Sequence, residues 1–195
     1  MITRMGQLGK KLDEILENHD DVIIHTGSYQ GENKSIANPE RYLWNVQNTF
    51  KYLEQARKEK KKFVYVSTWD ENPNPYVESK RICERMILEW RNTYLLNAII
   101  IRIPSIIGRG VIHKFIETDK ELEINDRELE FETLNYIAEE IKKIISCRFL
   151  NTYENSIDCS CNNHRFRIYG RKISVQLLYD LIRYTARKIK NENSN

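Results

Sequence analysis

The sequence is poor in glycine and proline, and it lacks long apolar runs. Glycine accounts for 7 of 195 residues, about half of the roughly 7% that is usual in globular proteins. This shortage matters for phosphate binding, because a backbone that cradles phosphate groups needs glycine where it bends. No apolar run reaches the roughly 18 residues of a membrane span, and the first residues contain no signal-peptide core. We therefore expect a cytoplasmic protein that has no membrane partner.

The chain also lacks a strong excess of charge of either sign. Its 31 basic and 28 acidic residues leave a net charge of +3, which excludes a strongly cationic nucleic-acid binder on bulk charge. A local basic stretch runs from Lys58 to Lys62. We interpret it as a solvated helix end, because cations are favourable near the negative end of a helix dipole and no aromatic residues interleave to stack on bases. The composition thus predicts no nucleic-acid partner.

The four cysteines do not form a recognisable metal site. In a chain without an export signal they are expected to be reduced thiols. One residue separates Cys159 from Cys161, whereas structural zinc sites prefer two to four, and Cys147 and His164 would have to complete the ligand set. Alternation around Cys159 instead fits a short strand. We therefore expect these cysteines and Cys83 to be ordinary core or surface residues, with no metal bound.

Helical and strand-like segments alternate over residues 1–110. Continuous apolar runs predict buried strands at 22–25, 63–67 and 98–102, and helical spacing predicts helices at 10–18, from Pro39 to about residue 57, and from Tyr76 through Trp90. This alternation favours an α/β fold with a parallel sheet. Such a fold places a ligand beyond the carboxyl ends of its strands. We assign residues 1–110 to a partial Rossmann-like domain.

The pattern changes in residues 111–195, where we predict a small C-terminal α+β substrate lobe and closing helices. An acidic, weakly alternating stretch covers 121–131, an amphipathic helix covers 134–145, and a short strand is predicted at 156–161. A last helix is predicted to start at Ile173-Ser174-Val175, with Ser174 as its N-cap.

A tyrosine and a lysine four residues apart open the helix after the second predicted strand. Tyr76 and Lys80 share a helix face at this spacing, so the lysine cation favours the phenolate and should lower the pKa of Tyr76 from about 10. Tyr76 could then act as a general acid or base. Thr68 ends the preceding strand, where its hydroxyl could bond a substrate oxygen. By itself the pair is unspecific, because tyrosine and lysine occur at this spacing on many helices by chance.

The surroundings make the chain resemble the extended short-chain dehydrogenase/reductase family, also called NAD-dependent epimerase/dehydratase. Asp21-Val22-Ile23-Ile24-His25 resembles the fourth strand of that family, and two small residues, Gly27 and Ser28, follow it. Asn45-Val46-Gln47-Asn48-Thr49 is similar to the Asn-Val-x-Gly-Thr signature, with Asn48 where glycine is usual. The segments that resemble later family elements are the strand ending at Thr68, the Tyr-x-x-x-Lys motif, Arg102 to Gly108, and parts of 131–178.

The resemblance implies roles for individual residues. Thr68 would orient a substrate hydroxyl, Tyr76 would transfer a proton, Lys80 would lower the pKa of Tyr76 and bind the nicotinamide ribose, and Asn45 would support the lysine. The implied cofactor is NAD or NADP, held by Gly27, Ser28, Tyr76, Lys80 and Pro104. The implied substrate is a nucleotide-sugar, held by Thr68 and by Ser105, where family members often have asparagine. Epimerases, dehydratases and reductases share these residues, so the reaction, the sugar and the choice of cofactor stay open.

The beginning of the chain departs from the family pattern. The family starts with a strand, a Gly-x-x-Gly-x-x-Gly turn and a helix, and the turn holds the cofactor pyrophosphate. Here Gly6-Gln7-Leu8-Gly9 follows no apolar strand, and we predict a loop or a helix start. We therefore expect a truncated Rossmann-like sheet whose open edge a second copy or a partner chain would cover. The alternative function is that of a non-catalytic family member (a pseudoenzyme, a subunit or a fragment) with impaired cofactor binding.

Overall fold

The structure is a computed structural model that describes residues 1–3, 6–17, 20–28, 40–70, 74–107, 128–146, 157–160, 165–174 and 176–180. Its helices are α1 (Gln7–Ile15), α2 (Glu40–Lys58), α3 (Pro75–Tyr94) and α4 (Leu134–Ser146), and residues 176–180 are also helical. Its strands are β1 (Ile2–Thr3), β2 (Val22–His25), β3 (Lys62–Thr68), β4 (Ala98–Ile103), β5 (Ser105–Ile106), β6 (Glu128–Glu132), β7 (Ile157–Ser160), β8 (Arg165–Ile168) and β9 (Arg171–Ser174).

The main sheet confirms the predicted α/β architecture. Six strands are ordered β1-β2-β3-β4-β8-β7. The first five are parallel to their neighbours, and β7 pairs with β8 in the antiparallel direction. Parallel strands that are covered on both faces have continuous apolar sequences. β2 is such a strand, because every one of its residues is buried. The fold is thus a Rossmann-like parallel sheet flanked by helices.

One face of this sheet packs against α2 and α3. The core there joins Phe63 and Tyr65 of β3 to Leu53 of α2 and to Cys83 and Ile87 of α3, each no more than 1% exposed. Burying an aliphatic or aromatic side chain of this size contributes about 1.5–3 kcal/mol. The core therefore fixes α3, and with it the Tyr-x-x-x-Lys motif, against the strand that ends at Thr68.

Local signals set both ends of α3. The Asn74 side chain accepts a hydrogen bond from the Val77 amide at 3.0 Å, and Pro75 follows at the first helical position, where its missing N–H costs nothing. Leu95 has a φ of 52°, a left-handed conformation that terminates the helix. Tyr76 and Lys80 consequently lie in the first two turns.

The expected absence of a strand before Gly6 is wrong. Ile2 and Thr3 form β1 and pair in parallel with Ile24 and His25 of β2. Gly6 is the N-cap of α1, whose helix begins three residues before the predicted start at Lys10. A two-residue strand has too few positions to show an apolar pattern, so tertiary pairing with β2 defines it. Of the two predictions for Gly6-Gln7-Leu8-Gly9, a loop or a helix start, the structure has the helix start.

The chain forms two compact units. The first consists of residues 1–103 and 134–168, and the second of 104–133 and 169–195. In the second unit, a three-stranded sheet is ordered β5-β6-β9. The prediction that a helix begins at Ile173 is wrong by a few residues, because Ile173 pairs with Leu129 in this sheet. The Ser174 hydroxyl accepts a hydrogen bond from the Leu177 amide at 3.1 Å, which confirms its capping role.

Candidate active site

Lys80 is a buried cation at the start of α3. It is 2% exposed, and its Nζ donates a hydrogen bond to the Val66 carbonyl of β3 at 2.8 Å. The same Nζ lies 4.7 Å from the centre of the Tyr65 ring and 5.9 Å from that of Tyr76, so two aromatic rings face the charge. Burial lowers the pKa of Lys80 to about 8, because an apolar environment disfavours the ammonium.

Asn45 of α2 is connected to the same turn of α3. Its Nδ2 donates to the Ser79 Oγ at 3.0 Å, and the Ser79 hydroxyl donates to the Tyr76 carbonyl at 2.7 Å. Asn45 is 1% exposed, so this contact is shielded from water. Asn45 therefore holds the backbone that carries Tyr76 and Lys80 by way of Ser79, for which the sequence pattern predicts no role.

Thr68 ends β3 and is partly exposed. Its Oγ1 accepts a hydrogen bond from the Asp70 amide at 3.1 Å, and the Trp69 amide donates to the Ile103 carbonyl of β4 at 3.0 Å. These bonds fix the chain as it leaves the sheet. Because the Thr68 oxygen is the acceptor in its bond with Asp70, the hydroxyl proton can be directed to another oxygen.

Gly27 and Ser28 follow β2, whose carboxyl end is next to that of β3 in the parallel sheet. Gly27 is buried and Ser28 is half-buried. Asn48, the departure from the family signature, has a buried Nδ2 with no hydrogen-bond partner among the described residues. The positions of Gly27 and Ser28 agree with a ligand site at this edge, and their roles stay predictions.

Pro104 and Ser105 belong to the second unit. Ser105 pairs with Phe131 in the small sheet, and a Cβ added to Gly170 would lie 3.0 Å from the Pro104 side chain. These contacts are all with residues of the second unit. The roles of Pro104 in binding the cofactor and of Ser105 in binding the substrate stay predictions.

A metal site finds no support in the part of the chain that the structure describes. There, no group of three or more His, Cys, Asp or Glu side chains could hold a metal ion, and Cys83 is a free, buried thiol. Cys147, Cys161 and His164 lie outside the described residues. Among the described helices, none is both long and apolar enough to cross a membrane.

A buried acidic residue that the sequence pattern did not predict lies beside the motif. Glu84 is 1% exposed and accepts hydrogen bonds from Ser67 and Arg102. Burial raises the pKa of Glu84, but the hydrogen bonds from Arg102 and Ser67 outweigh this effect and hold the pKa below its ordinary value. Its spacing of four residues from Lys80 was the available signal, since it places both side chains on one helix face.

Solved structures similar to this fold include three sugar-nucleotide epimerases. One is the UDP-N-acetylglucosamine 4-epimerase of Methanobrevibacter ruminantium in complex with UDP-N-acetylmuramic acid (17% identity, TM-score 0.63, covering 87% of this chain and 61% of that one). Another is the UDP-glucose 4-epimerase of Thermotoga maritima with UDP-glucose (16% identity, TM-score 0.63, covering 91% of this chain and 65% of that one). A third is the UDP-glucose 4-epimerase of Thermus thermophilus in complex with NAD (13% identity, TM-score 0.63, covering 90% of this chain and 65% of that one). The chain thus spans less than two thirds of the length of these proteins.

Sequence comparison provides the family assignment. The sequence matches none of the curated proteins with which it was compared. A sequence model of the NAD dependent epimerase/dehydratase family matches residues 8–122, more than half of the 195-residue chain. This match includes Asn45, Thr68, Tyr76 and Lys80, the residues on which the resemblance depends. The chain therefore belongs to the NAD-dependent epimerase/dehydratase family.

Proposed function

We propose that this chain is an NAD- or NADP-dependent enzyme that acts on a nucleotide-sugar, with Thr68, Tyr76 and Lys80 at its reacting centre. The burial of Lys80 carries the proposal. A lysine that is 2% exposed and faces two tyrosine rings is costly to maintain in a fold, and perturbed lysines of this kind concentrate at functional sites.

The hydrogen-bond donors of the Lys80 ammonium fit the nicotinamide ribose of the cofactor. An ammonium has three N–H groups, and among the described residues its hydrogen-bond acceptor is the Val66 carbonyl. The remaining N–H groups match ribose hydroxyls in chemistry. At the start of α1, Gly6 provides no side-chain cap for the first turn, so the amides there suit a pyrophosphate. The residues present thus fit NAD or NADP.

The residues of the chain then have distinct tasks. When bound, the nicotinamide of NAD or NADP would supply the hydride acceptor or donor. Tyr76 exchanges a proton with the reacting oxygen of the sugar, and the Lys80 ammonium stabilises the phenolate that this exchange leaves. Thr68 donates its hydroxyl proton to the same sugar oxygen, because its own oxygen is already an acceptor for the Asp70 amide. Asn45 keeps the first turn of α3 in place through Ser79.

The substrate class is supported by the solved structures and not by a contact in this chain. Two of the similar structures hold UDP-N-acetylmuramic acid and UDP-glucose. Epimerase, dehydratase and reductase reactions all remain within this proposal, because they use the same proton-transfer residues.

Cofactor binding is the first test. NAD, NADH, NADP and NADPH are added separately to the purified chain at millimolar concentration, and the melting temperature is measured. A cofactor at about 100 times its Kd stabilises the native state by about 2.7 kcal/mol, which raises the melting temperature by several degrees. If none of the four shifts the melting temperature, the proposed function is wrong for this chain and the non-catalytic alternative takes its place.

Turnover is the second test, with Tyr76→Phe as the variant. We expect it to retain the cofactor-induced thermal shift and to lose at least about 100-fold in turnover, since it lacks the transferred proton. NADH absorbance with a panel of UDP- and dTDP-sugars reports oxidation or reduction, and product analysis reports epimerisation. Tyr94→Phe, an exposed tyrosine on the same helix, is the matched control and should be unaffected. Undiminished turnover in Tyr76→Phe would remove Tyr76 from the proposed role.

A further inference from the structure

Glu84 is a buried carboxylate that the proposed chemistry does not use. It lies on α3 one turn beyond Lys80 and is 1% exposed. Its Oε1 accepts from the Ser67 hydroxyl at 2.5 Å and from Arg102 Nε at 3.0 Å, and its Oε2 accepts from Arg102 Nη2 at 2.5 Å. An ionised carboxylate at this depth persists only when such bonds compensate for its lost hydration.

These partners tie α3 to the carboxyl ends of two strands. Ser67 of β3 and Arg102 of β4 are directly opposite each other in the parallel register, so Glu84 contacts one row of the sheet across both strands. The two-point bond with Arg102 has a defined geometry, because a guanidinium and a carboxylate are planar and match each other. Glu84 therefore limits how Ser67, the residue directly before Thr68, can move.

A second series of contacts leads from Glu84 to the turn after β3. Arg81 donates from Nη1 to the Glu84 Oε1 at 3.0 Å and from Nη2 to the Asp70 carbonyl at 3.3 Å. The Asp70 amide in turn donates to the Thr68 Oγ1 at 3.1 Å. The carboxylate thus acts on Thr68 from both sides, through Ser67 before it and through Arg81 and Asp70 after it.

We propose that Glu84 is a positioning residue: by anchoring Ser67, Arg81 and Arg102 it fixes the turn after β3, and thereby the direction of the Thr68 hydroxyl. The inference rests on the proposed function in one respect, namely that Thr68 contacts the substrate. Glu84 itself does not touch the reacting atoms. Its loss should therefore release the Thr68–Asp70 turn and leave the rest of the sheet in place.

Amide hydrogen exchange measured by NMR separates this role from a general contribution to stability. In Glu84→Gln, the Asp70 amide should exchange about 10-fold faster or more, as expected for loss of a charge-assisted bond. The Ile24 amide of β2, which donates to the Met1 carbonyl, should change much less. Glu89→Gln removes the same charge from an exposed position on α3 and should leave both amides unchanged.

A second variant covers the case in which Glu84→Gln does not fold. Ser67→Ala removes one hydrogen bond and leaves Glu84 with both arginines, and it should also accelerate exchange at Asp70 relative to Ile24. The inference is overturned if the Asp70 amide responds no more than the Ile24 amide in every variant that folds.

The activity assay distinguishes this inference from the proposed function. If the wild type turns over a nucleotide-sugar, Ser67→Ala should lower kcat and leave the KM for the cofactor unchanged, since Lys80 is not altered. If the cofactor KM rises by the same factor by which kcat falls, the inference is overturned. An inactive wild type would refute the proposed function, and the exchange of the Asp70 amide would still decide whether Glu84 fixes the turn.

Discussion

At the scale of single residues, Lys80 has the clearest energetic signature. Burial lowers its pKa to about 8, and the nearby Cys83 and Glu84 oppose this effect. The pKa in the folded state is thus below the roughly 10.4 of an unfolded lysine. Between these two values the unfolded chain binds more protons, so the contribution of Lys80 to the free energy of unfolding must increase as the pH rises from about 8 to about 10.4.

Lys80→Met should abolish this pH dependence. The difference between about 10.4 in the unfolded chain and about 8 in the folded state corresponds to about 3 kcal/mol. Relative to Lys80→Met, the wild type should therefore gain about 3 kcal/mol of stability between pH 7 and pH 11. Urea denaturation of both proteins across this range measures the difference. Lys51→Met, which changes an exposed lysine of α2, should show no such trend. If the difference in the free energy of unfolding between the wild type and Lys80→Met does not change with pH, Lys80 is not a buried charged amine.

The motif residues could be predicted from sequence, but their partners could not. Tyr76 and Lys80 have the spacing of the Tyr-x-x-x-Lys motif, Asn45 and Thr68 lie in segments that resemble the family's helix and strand, and the roles of all four stay predictions. The bonds from Asn45 to Ser79 and from Ser67 to Glu84 join separate elements, and the packing of α2, α3 and β3 determines them. A helical period shows which side chains share a face, but it does not show which atoms of another element face them.

At the scale of elements, a series of buried hydrogen bonds joins β1, β2 and α2. Thr3 Oγ1 lies 2.5 Å from His25 Nδ1, and His25 Nε2 lies 3.2 Å from Thr49 Oγ1, which donates to the Asn45 carbonyl at 2.8 Å. Since the single Thr49 proton goes to Asn45, His25 Nε2 is the donor in its bond to Thr49. In a neutral ring, Nδ1 then accepts the Thr3 proton. The helix that carries Asn45 is thereby oriented by the first two strands.

Replacing Thr49 by valine tests this connection with little change in shape. Thr49→Val removes the hydrogen bonds to His25 and to the Asn45 carbonyl, which should lower the free energy of unfolding by about 1–3 kcal/mol. Thr49→Ser retains the hydroxyl and should lose much less. Chemical denaturation of the three proteins gives the comparison. A loss in the serine variant without a loss in the valine variant would show that the threonine methyl group, and not its hydroxyl, is important.

The predictability of each element follows from its length and its surroundings. β2, β3 and β4 are buried on both faces and have continuous apolar runs, so the sequence identifies them. β1 and β5 contain two residues each, too few for any period. β8 alternates arginine with Phe166 and Ile168 and has no continuous apolar run, so its place beside β4 depends on tertiary pairing.

At the scale of the whole molecule, the chain leaves the first unit at residue 104, returns at 134 and leaves again at 169. A change in composition along the sequence cannot reveal such a return, because tertiary contacts define it. Within the second unit, β6 and β9 are held by buried carboxylates: Glu130 accepts from the Gly170 amide at 2.8 Å, and Glu132 accepts from Arg171 Nε at 3.0 Å. Hydrogen bonds within the unit thus join two segments that are distant in sequence.

Gly170 offers a way to disturb the second unit alone. A Cβ at this position would lie 2.6 Å from the Phe131 carbonyl oxygen, a distance that backbone atoms cannot accommodate without moving. Gly170→Ala should therefore destabilise the β6–β9 pairing by about 1–3 kcal/mol, the usual cost of overpacking. If the two units open separately, amide exchange should accelerate at Lys172 in β9 and stay unchanged at Val64 in β3. Leu177→Ala, at an exposed position of the second unit, should change neither amide, whereas acceleration at both sites in Gly170→Ala would show that the two units unfold as one.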